Sequence, residues 1–469
     1  STRLTVRLCC RTLFVMKAHP SDGSCGRVSG PTDLPFVRLL RHIDTSTYGS
    51  ELMTTADIDG DGRQEFIFSQ STGMLAADIF KPGSTGPYGA KYTTPEDQAL
   101  DCVTAVDFDG NIRWQQGTPW RGKIPFRQHG GDGMLLVEDL DGDGQREILR
   151  IRGNQLILID GATGGPIRSA TLDSDGYSSL LTARFTRDGT RHIIILPCSD
   201  GLDGHPYCCP VVVYDHRFAQ VWGRHDFLHA GHVPRAFDVD GDGLDELLIG
   251  FQCVNQDGTV RWTLPLEGGQ GHPDRCTIAD VDGDGELEQV LACEDFGVVV
   301  TTLTGVVKWR RPAEHCGEAC VGKFRADVPG LQIMANDETW RVGHKGSAGA
   351  SCLLDGRGNV VWTSPHDRYA RAIDWPTPFG PQAMLAKPHL ADPEDARPFI
   401  MDGAGNILAH FDIPLRLSGL RNVAAPHGGI CWGDWGDYYG SQCVNLDGSG
   451  PRILIWSRRD LWIFAADAK

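Results

Sequence analysis

Histidines and tyrosines recur at one position of a repeating pattern in this chain, and imidazole groups can move protons near neutral pH. They stand shortly before a short apolar strand in successive repeats, at Tyr48, His129, Tyr177, His229, His232, His272, His315 and His427. A single loop histidine is usually solvated or hydrogen-bonded locally. Several imidazoles that converge from different repeats would instead form a site for general acid and base catalysis.

Arginines accompany these residues at Arg224, Arg235 and Arg275. A guanidinium group binds a carboxylate through two parallel hydrogen bonds, so this combination favours an anionic substrate. Tyr177 and Tyr369 have packing between repeats as their alternative role. The tryptophans that recur in the hairpins are interpreted as core residues rather than as sugar-binding platforms.

Soft metal ligands also cluster in two places. The two groups, which have spacings that could hold zinc, are His315-Cys316 with Cys320, and His205 with Cys208 and Cys209. Disulfides or buried thiols are the alternative interpretation for both groups.

The most regular motif is Asp-x-Asp-Gly-Asp-Gly-x-x-Glu, which is present in four faithful copies. Its carboxylates alternate along the chain and its second glycine permits a sharp turn, as in the first half of an EF-hand loop. These hard oxygen ligands predict structural calcium ions, and the alternative is a turn whose carboxylates cap its own backbone amides. The predicted ligands are Asp57, Asp59, Asp61, Glu65, Asp139, Asp141, Asp143, Glu147, Asp238, Asp240, Asp242, Glu246, Asp280, Asp282, Asp284 and Glu288.

The elements that position these groups are short strands joined by tight turns, and no helical period is sustained. The first aspartates of the acidic loops are separated by one or two times the roughly 40 residues of a propeller blade. We therefore predict an all-β chain that forms a single β-propeller of eight four-stranded blades, with seven blades as the alternative. Residues 31–42 are expected to supply the missing outer strand of the last blade. Residues 1–30 are expected to be a leader outside the repeat, and residues 31–469 the catalytic propeller domain.

Composition narrows the functional classes. The chain has 469 residues, a formal net charge of −17 and no long run of Lys or Arg, which argues against nucleic acid as a partner. No apolar stretch is long enough to span a membrane. Fifteen cysteines favour a secreted protein with several disulfides, and a monomer is expected. Nucleophile-elbow, phosphate-loop and dinucleotide motifs are absent from the sequence.

Three phrases resemble the propeller polysaccharide lyases. They begin at His232-Val-Pro-Arg235, at Gly271-His-Pro-Asp-Arg275 and at Gly322-Lys-Phe-Arg325. The resemblance is to ulvan lyases and rhamnose-glucuronate lyases, and more distantly to rhamnogalacturonan lyases. It implies β-elimination at a uronic acid, in which a base removes the proton next to the carboxylate and an acid protonates the departing oxygen.

The resemblance also implies the roles of individual residues. His129 corresponds to the base or the carboxylate neutraliser, Tyr207 to the base or acid, and Arg224 to the carboxylate clamp. Ulvan lyases carry a further histidine upstream, where this chain reads Asp107-Phe-Asp-Gly-Asn111, and that role would pass to His232. The residues expected to line the substrate site are Arg235, His272, Arg275, His229, His315 and Tyr48.

The predicted function is a secreted lyase that cleaves rhamnose–glucuronate linkages in an acidic polysaccharide, such as gum arabic side chains or ulvan, and leaves an unsaturated uronate. The alternative is a non-catalytic, calcium-dependent propeller that binds glycans or proteins, because the same acidic repeats would serve it equally well. Convergent imidazoles discriminate between the two, since a binding module does not need them.

Overall fold

The computed structural model describes a large part of the chain as short strands joined by turns. The described residues are 37–50, 52–71, 101–119, 135–174, 177, 179–197, 208–228, 230–231, 234–266, 271–313, 315–337, 350–365, 368–388, 398–411, 413, 440–457 and 459–466. All regular elements in these ranges are β-strands. The described residues contain no helix that is long and apolar enough to cross a membrane.

The strands form eight separate four-stranded antiparallel sheets, which are the blades of a β-propeller. The chain begins with β1 (Val37–Asp44), which belongs to the last blade. The first four blades are β2 (Leu52–Ala56), β3 (Glu65–Ser71), β4 (Asp101–Val106) and β5 (Ile112–Thr118); β6 (Leu135–Glu138), β7 (Glu147–Arg152), β8 (Gln155–Asp160) and β9 (Pro166–Thr171); β10 (Ser179–Ala183), β11 (His192–Leu196), β12 (Val211–Tyr214) and β13 (Gln220–Arg224); β14 (Arg235–Phe237), β15 (Glu246–Ile249), β16 (Gln252–Val254) and β17 (Val260–Thr263).

The remaining blades continue the same order. They are β18 (Pro273–Ala279), β19 (Glu288–Cys293), β20 (Gly297–Thr302) and β21 (Val307–Arg311); β22 (Ala319–Gly322), β23 (Gln332–Asp337), β24 (Ala350–Asp355) and β25 (Val360–Ser364); β26 (Arg368–Ile373), β27 (Ala383–Pro388), β28 (Phe399–Met401) and β29 (Ile407–His410); β30 (Gly440–Val444), β31 (Arg452–Trp456) and β32 (Asp460–Ala466), completed by β1. The prediction of eight blades is confirmed.

Ring closure uses the predicted segment. Strand β1 pairs antiparallel with β32, from Val37 opposite Ala466 to Asp44 opposite Asp460, and so becomes the outer strand of the eighth blade. The closing strand lies at Val37–Asp44, a few residues later than predicted. Pairing of an early strand with a late one completes the eighth blade and joins the two ends of the ring.

The core is divided into eight apolar clusters, and each cluster fills the space between two successive blades. Leu149 and Ile193, for example, pack between the second and third blades. Ile43, Phe68 and Leu454 pack between the eighth blade and the first, which continues the core across the junction of the ring. Each blade is therefore buried on both faces by its neighbours.

Tryptophans fasten neighbouring blades together. The indole nitrogen of Trp114 donates to the carbonyl of Gly161 in the next blade, and Trp222, Trp262, Trp309 and Trp362 repeat this contact in their own blades. In the second blade Arg168 takes the tryptophan position, donates to the carbonyl of His216 and lies over the ring of Phe218. The interpretation of these tryptophans as structural residues is confirmed.

The ten cysteines within the described residues are all free thiols, so the predicted disulfides have no support there. Cys316 and Cys320 belong to different interblade clusters, and the imidazole of His315 pairs with carboxylates. The predicted zinc group at His315 therefore does not assemble, and buried thiols are the correct interpretation. The second group includes His205, which lies outside the described residues.

Candidate functional site

The predicted catalytic residues fall mostly on chain segments that the structure does not describe. His129, Tyr207 and His232 lie outside the described residues, as does the predicted substrate-binding residue His229. Their roles remain predictions. Arg224, Tyr48, Arg235, His272, Arg275 and His315 are described.

Four of the predicted residues lie together on the inner side of the fourth, fifth and sixth blades. Arg235 and Arg275 are on the innermost strands β14 and β18. His272 directly precedes β18, and His315 lies in the connection that leads into β22, the innermost strand of the sixth blade. Innermost strands surround the central axis of a propeller, so these side chains belong to one sector of its inner wall.

His272 and His315 form a closed arrangement with two carboxylates, which we call the tetrad (His272, Asp274, Glu294 and His315). The Nε2 atom of His272 lies 3.1 Å from Asp274 Oδ1, and its Nδ1 atom lies 3.0 Å from Glu294 Oε2. His315 approaches the other oxygens of the same carboxylates, at 3.4 Å from Asp274 Oδ2 and 3.5 Å from Glu294 Oε1. Each acid thus bridges two imidazoles, one from the fifth blade and one from the connection to the sixth.

Burial and pairing fix the charges of the tetrad. Burial acts to lower the pKa of His272, but its hydrogen bonds to Asp274 and Glu294 raise that pKa to about 9. Hydrogen bonds from His272 and His315 hold the pKa of Glu294 well below its usual range. His272 is therefore protonated at neutral pH, and Glu294 is ionised. Both N–H groups of this imidazolium donate to carboxylates of the tetrad, so it stabilises those two acids and cannot accept a proton.

The two inner-strand arginines connect adjacent blades. Arg235 Nε donates to the carbonyl of Cys276, 2.9 Å away on β18. Arg275 Nε lies 3.4 Å from Glu318 Oε2 in the sixth blade. The sector therefore combines the tetrad with two guanidinium groups, of which Arg235 is exposed and can contact an anionic sugar.

Arg224 is placed apart from this sector, at the end of the outer strand β13. Its guanidinium group binds Asp226 through two contacts of 2.8 and 2.6 Å and lies over the ring of Phe227. A substrate carboxylate would have to replace Asp226, which is exposed. The role of Arg224 as carboxylate clamp remains a prediction, and it requires that the substrate displace Asp226.

Tyr48 and Tyr177 are core residues. Tyr48 is buried between the eighth and first blades, and its hydroxyl donates to the carbonyl of Gly110 at 2.7 Å. Tyr177 is fully buried between the second and third blades. The prediction that Tyr48 lines the substrate site is corrected, because its side chain is enclosed by the interblade core and bonded to the chain itself.

The acidic loops occupy the turns between the first two strands of the first, second, fourth and fifth blades. Three carboxylates converge in each, namely Asp57, Asp59 and Asp61; Asp139, Asp141 and Glu147; Asp238, Asp240 and Glu246; and Asp280, Asp282 and Glu288. The same carboxylates also cap backbone amides, as Asp57 does for Gly60 and Gly62 at 2.7 and 2.9 Å. Carboxylate oxygens at this density suit a hard cation such as calcium, so both predicted roles fit the geometry.

Sequence reasoning missed the acidic half of the tetrad. Asp274 could have been found, because residues two positions apart in a strand share a face and Asp274 follows His272 at that spacing. Glu294 could not, because its position depends on the register in which Pro273 stands opposite Cys293.

Comparison with known proteins finds the β-propeller fold again, and two of the similar proteins are rhamnogalacturonan lyases. The chain is 24% identical over 370 residues to the rhamnogalacturonan endolyase YesW of Bacillus subtilis, covering 66% of this chain and 55% of that protein. It is 25% identical over 291 residues to the rhamnogalacturonan exolyase YesX of the same organism, covering 50% and 43%. The crystal structure of exotype rhamnogalacturonan lyase YesX superimposes with a TM-score of 0.63 at 18% identity, over 90% of this chain and 72% of that one.

No protein-family model matches the chain. The chain spans about half the length of the curated relatives it matches. At this level of identity the structural similarity establishes the β-propeller fold and nothing further.

Proposed function

We propose that this protein is a polysaccharide lyase that cleaves an acidic, rhamnose-containing polysaccharide by β-elimination at a uronic acid. The observation that carries the proposal is the tetrad beside Arg235 and Arg275 on the inner wall of the propeller. The two relatives that are rhamnogalacturonan lyases support the same class of reaction and a polymer of rhamnose and uronic acid.

The chemistry of elimination fits the charges of the sector. Removal of the proton next to a uronate carboxylate leaves negative charge on that carboxylate, and fixed cations stabilise it. Arg235, which is exposed, and the partly exposed Arg275 supply such cations, whereas the protonated His272 is already bonded to Asp274 and Glu294. Since this imidazolium cannot act as the base, the base is assigned to His129 or Tyr207, with His232 and Arg224 as the other predicted catalytic residues.

The finer substrate assignment comes from the resemblance of the sequence to rhamnose-glucuronate and ulvan lyases. We propose rhamnogalacturonan and rhamnose–glucuronate polymers as the two candidate substrates. Calcium in the acidic loops, secretion and a monomeric state are parts of the same proposal. Structural calcium is supported by the converging carboxylates, and secretion by the extracellular location of such polysaccharides.

The test is the near-ultraviolet absorbance of the unsaturated uronate that only elimination produces. Rhamnogalacturonan, gum arabic and ulvan are offered separately to the folded protein in calcium buffer. A rise in absorbance with one polymer supports the proposal and identifies the substrate. If the absorbance does not rise with any of the three polymers, and the protein shows an intact melting transition, the proposal is contradicted and the binding propeller is favoured.

Single substitutions then test the residues. His129→Ala is expected to abolish the absorbance rise, and full activity would refute the assignment of His129. His225→Gln, which changes an exposed histidine, is the matched control and is expected to retain activity.

A further inference from the structure

The outer strands of seven blades share a β-bulge. In each pairing of the third strand with the fourth, one residue of the outer strand is left out of the register. From the first blade to the seventh, this bulge residue is Arg113, Ile167, Val221, Arg261, Lys308, Val361 and Leu408. A bulge re-aims its side chain, so this position can face a different part of the blade from its strand neighbours.

The type of bulge residue follows the acidic loops. It is a cation in the first, fourth and fifth blades, each of which carries a faithful acidic loop. It is apolar in the third, sixth and seventh blades, which have no such loop. The second blade departs from this rule, because it has the Asp139 loop but Ile167 at the bulge.

The cations lie among the carboxylates of their own loops. Lys308 Nζ is 2.8 Å from Asp282 Oδ2, 3.1 Å from Asp284 Oδ2 and 2.7 Å from Glu288 Oε1. Its ammonium group thus contacts Asp282 and Glu288, which are two of the three carboxylates that converge in this loop.

The arginines make fewer contacts. Arg261 lies 2.7 Å from Asp240 and 3.3 Å from Glu246. Arg113 lies 3.3 Å from Asp59 and 3.7 Å from Glu65.

The second-blade loop has no such partner. Glu147 accepts the backbone amide of Leu140 at 2.8 Å, and no lysine or arginine among the described residues contacts Asp139, Asp141 or Glu147. Ile167 is 48% exposed. Among the described residues, this loop therefore has no cation at the bulge position and none in contact with its three converging carboxylates.

We propose that the bulge residue decides whether an acidic loop is held by a cation of the chain or by a divalent metal ion. Lys308 replaces the ion in the Asp280 loop, whereas the Asp139 loop depends on the ion. The loops contacted by Arg113 and Arg261 are intermediate in their dependence on the ion. This inference rests on the calcium binding included in the proposed function. Its physical reason is that an entering ion must displace the ammonium group and loses part of the negative charge that attracts it.

The experiment counts the calcium ions bound by the full chain by isothermal titration calorimetry and measures the melting temperature in calcium and in chelator. Lys308→Met is expected to bind one ion more than the wild type, with affinity at the Asp280 loop raised by about tenfold or more. Ile167→Lys is expected to bind one ion fewer and to show a smaller difference between calcium and chelator. Lys308→Arg retains the charge and is the matched control, with the wild-type count.

The opposite results overturn the inference. If Lys308→Met binds no additional ion and melts lower by the same amount in calcium and in chelator, Lys308 is an ordinary ion pair. If Lys308→Met does not fold, Ile167→Lys decides alone, since its exposed position tolerates lysine, and an unchanged ion count refutes the proposal. These results are independent of the lyase assay, because they are read from binding and melting without substrate.

Discussion

The charge of His272 depends on two carboxylates of the fifth blade, Asp274 and Glu294. His272 and Asp274 are close in sequence, but Glu294 follows β19, the next strand. The pKa of His272 is raised to about 9, whereas an unfolded chain returns it to about 6.5. The folded state therefore binds more protons than the unfolded state between these two values.

The sign of the resulting pH dependence follows from linkage. The stability supplied by His272 is fully present below about pH 6.5 and is lost as the pH rises through about 9, with a total on the order of 3 kcal/mol. We expect His272→Gln to remove this decline of the free energy of unfolding and to destabilise the protein at neutral pH. Urea denaturation from pH 6 to pH 10 measures it, with the exposed His225→Gln as control. A His272→Gln variant that keeps the wild-type slope would show that another group titrates.

At this scale, the sequence predicted functional residue types better than their environments. His272, His315, Arg235 and Arg275 lie in one sector because their motif positions recur relative to the blades, and their role in substrate binding stays a prediction. Tyr48 occupies the same kind of position, but its ring packs into the apolar cluster between the eighth and first blades instead of joining a polar group. Sequence spacing fixes where a residue enters a blade, but packing decides which way its side chain turns.

At the scale of the elements, hairpin glycines of one blade pack against outer-strand tryptophans of the preceding blade. A Cβ atom on Gly164 would lie 2.6 Å from Trp114, and the φ angle of Gly164 is +71°. Gly153 also has a positive φ, of +53°, but no atom lies within 4 Å of its Cβ position. Alanine variants of these two glycines therefore separate the free-energy cost of a contact with Trp114 from the cost of a positive φ angle.

We expect Gly164→Ala to lower the free energy of unfolding by about 3 kcal/mol and Gly153→Ala by about 1 kcal/mol. The first variant adds a clash with the indole ring to the backbone strain that both variants share. Chemical denaturation of both variants measures the difference. Equal losses would mean that the interblade contact tolerates an added methyl group.

The elements themselves were largely readable from the sequence. His272 and His315 stand shortly before β18 and β22, as the repeating pattern predicted, because each blade repeats the same turns and apolar strands. The bulge cations were not found. Their significance depends on a register shift, and a lysine beside a tryptophan in an exposed strand carries no signal by itself.

At the scale of the whole molecule, the ring depends on pairing between β1 and β32. Arg41 adds a 2.8 Å contact to Asp109 of the first blade and lies over Phe108. Removal of this strand would expose the edge of β32, and an exposed edge favours pairing with other chains.

We expect a variant that lacks residues 37–44 to melt at a lower temperature and to associate, as measured by light scattering. A peptide with the sequence of residues 37–44 should reverse this association, because it can add back the missing strand. A scrambled peptide of the same composition is the control. A monomeric variant with an unchanged melting temperature would show that the closing strand is dispensable.

The pairing of β1 with β32 also imposes an order in time. During synthesis the earlier blades emerge with their strands contiguous, so each can assemble from residues already made. Strand β1 is among the first parts of the ring to be translated, yet its partner follows hundreds of residues later. The ring therefore cannot close until β32 has been synthesised. Closure is a late step of folding that joins residues far apart in the sequence.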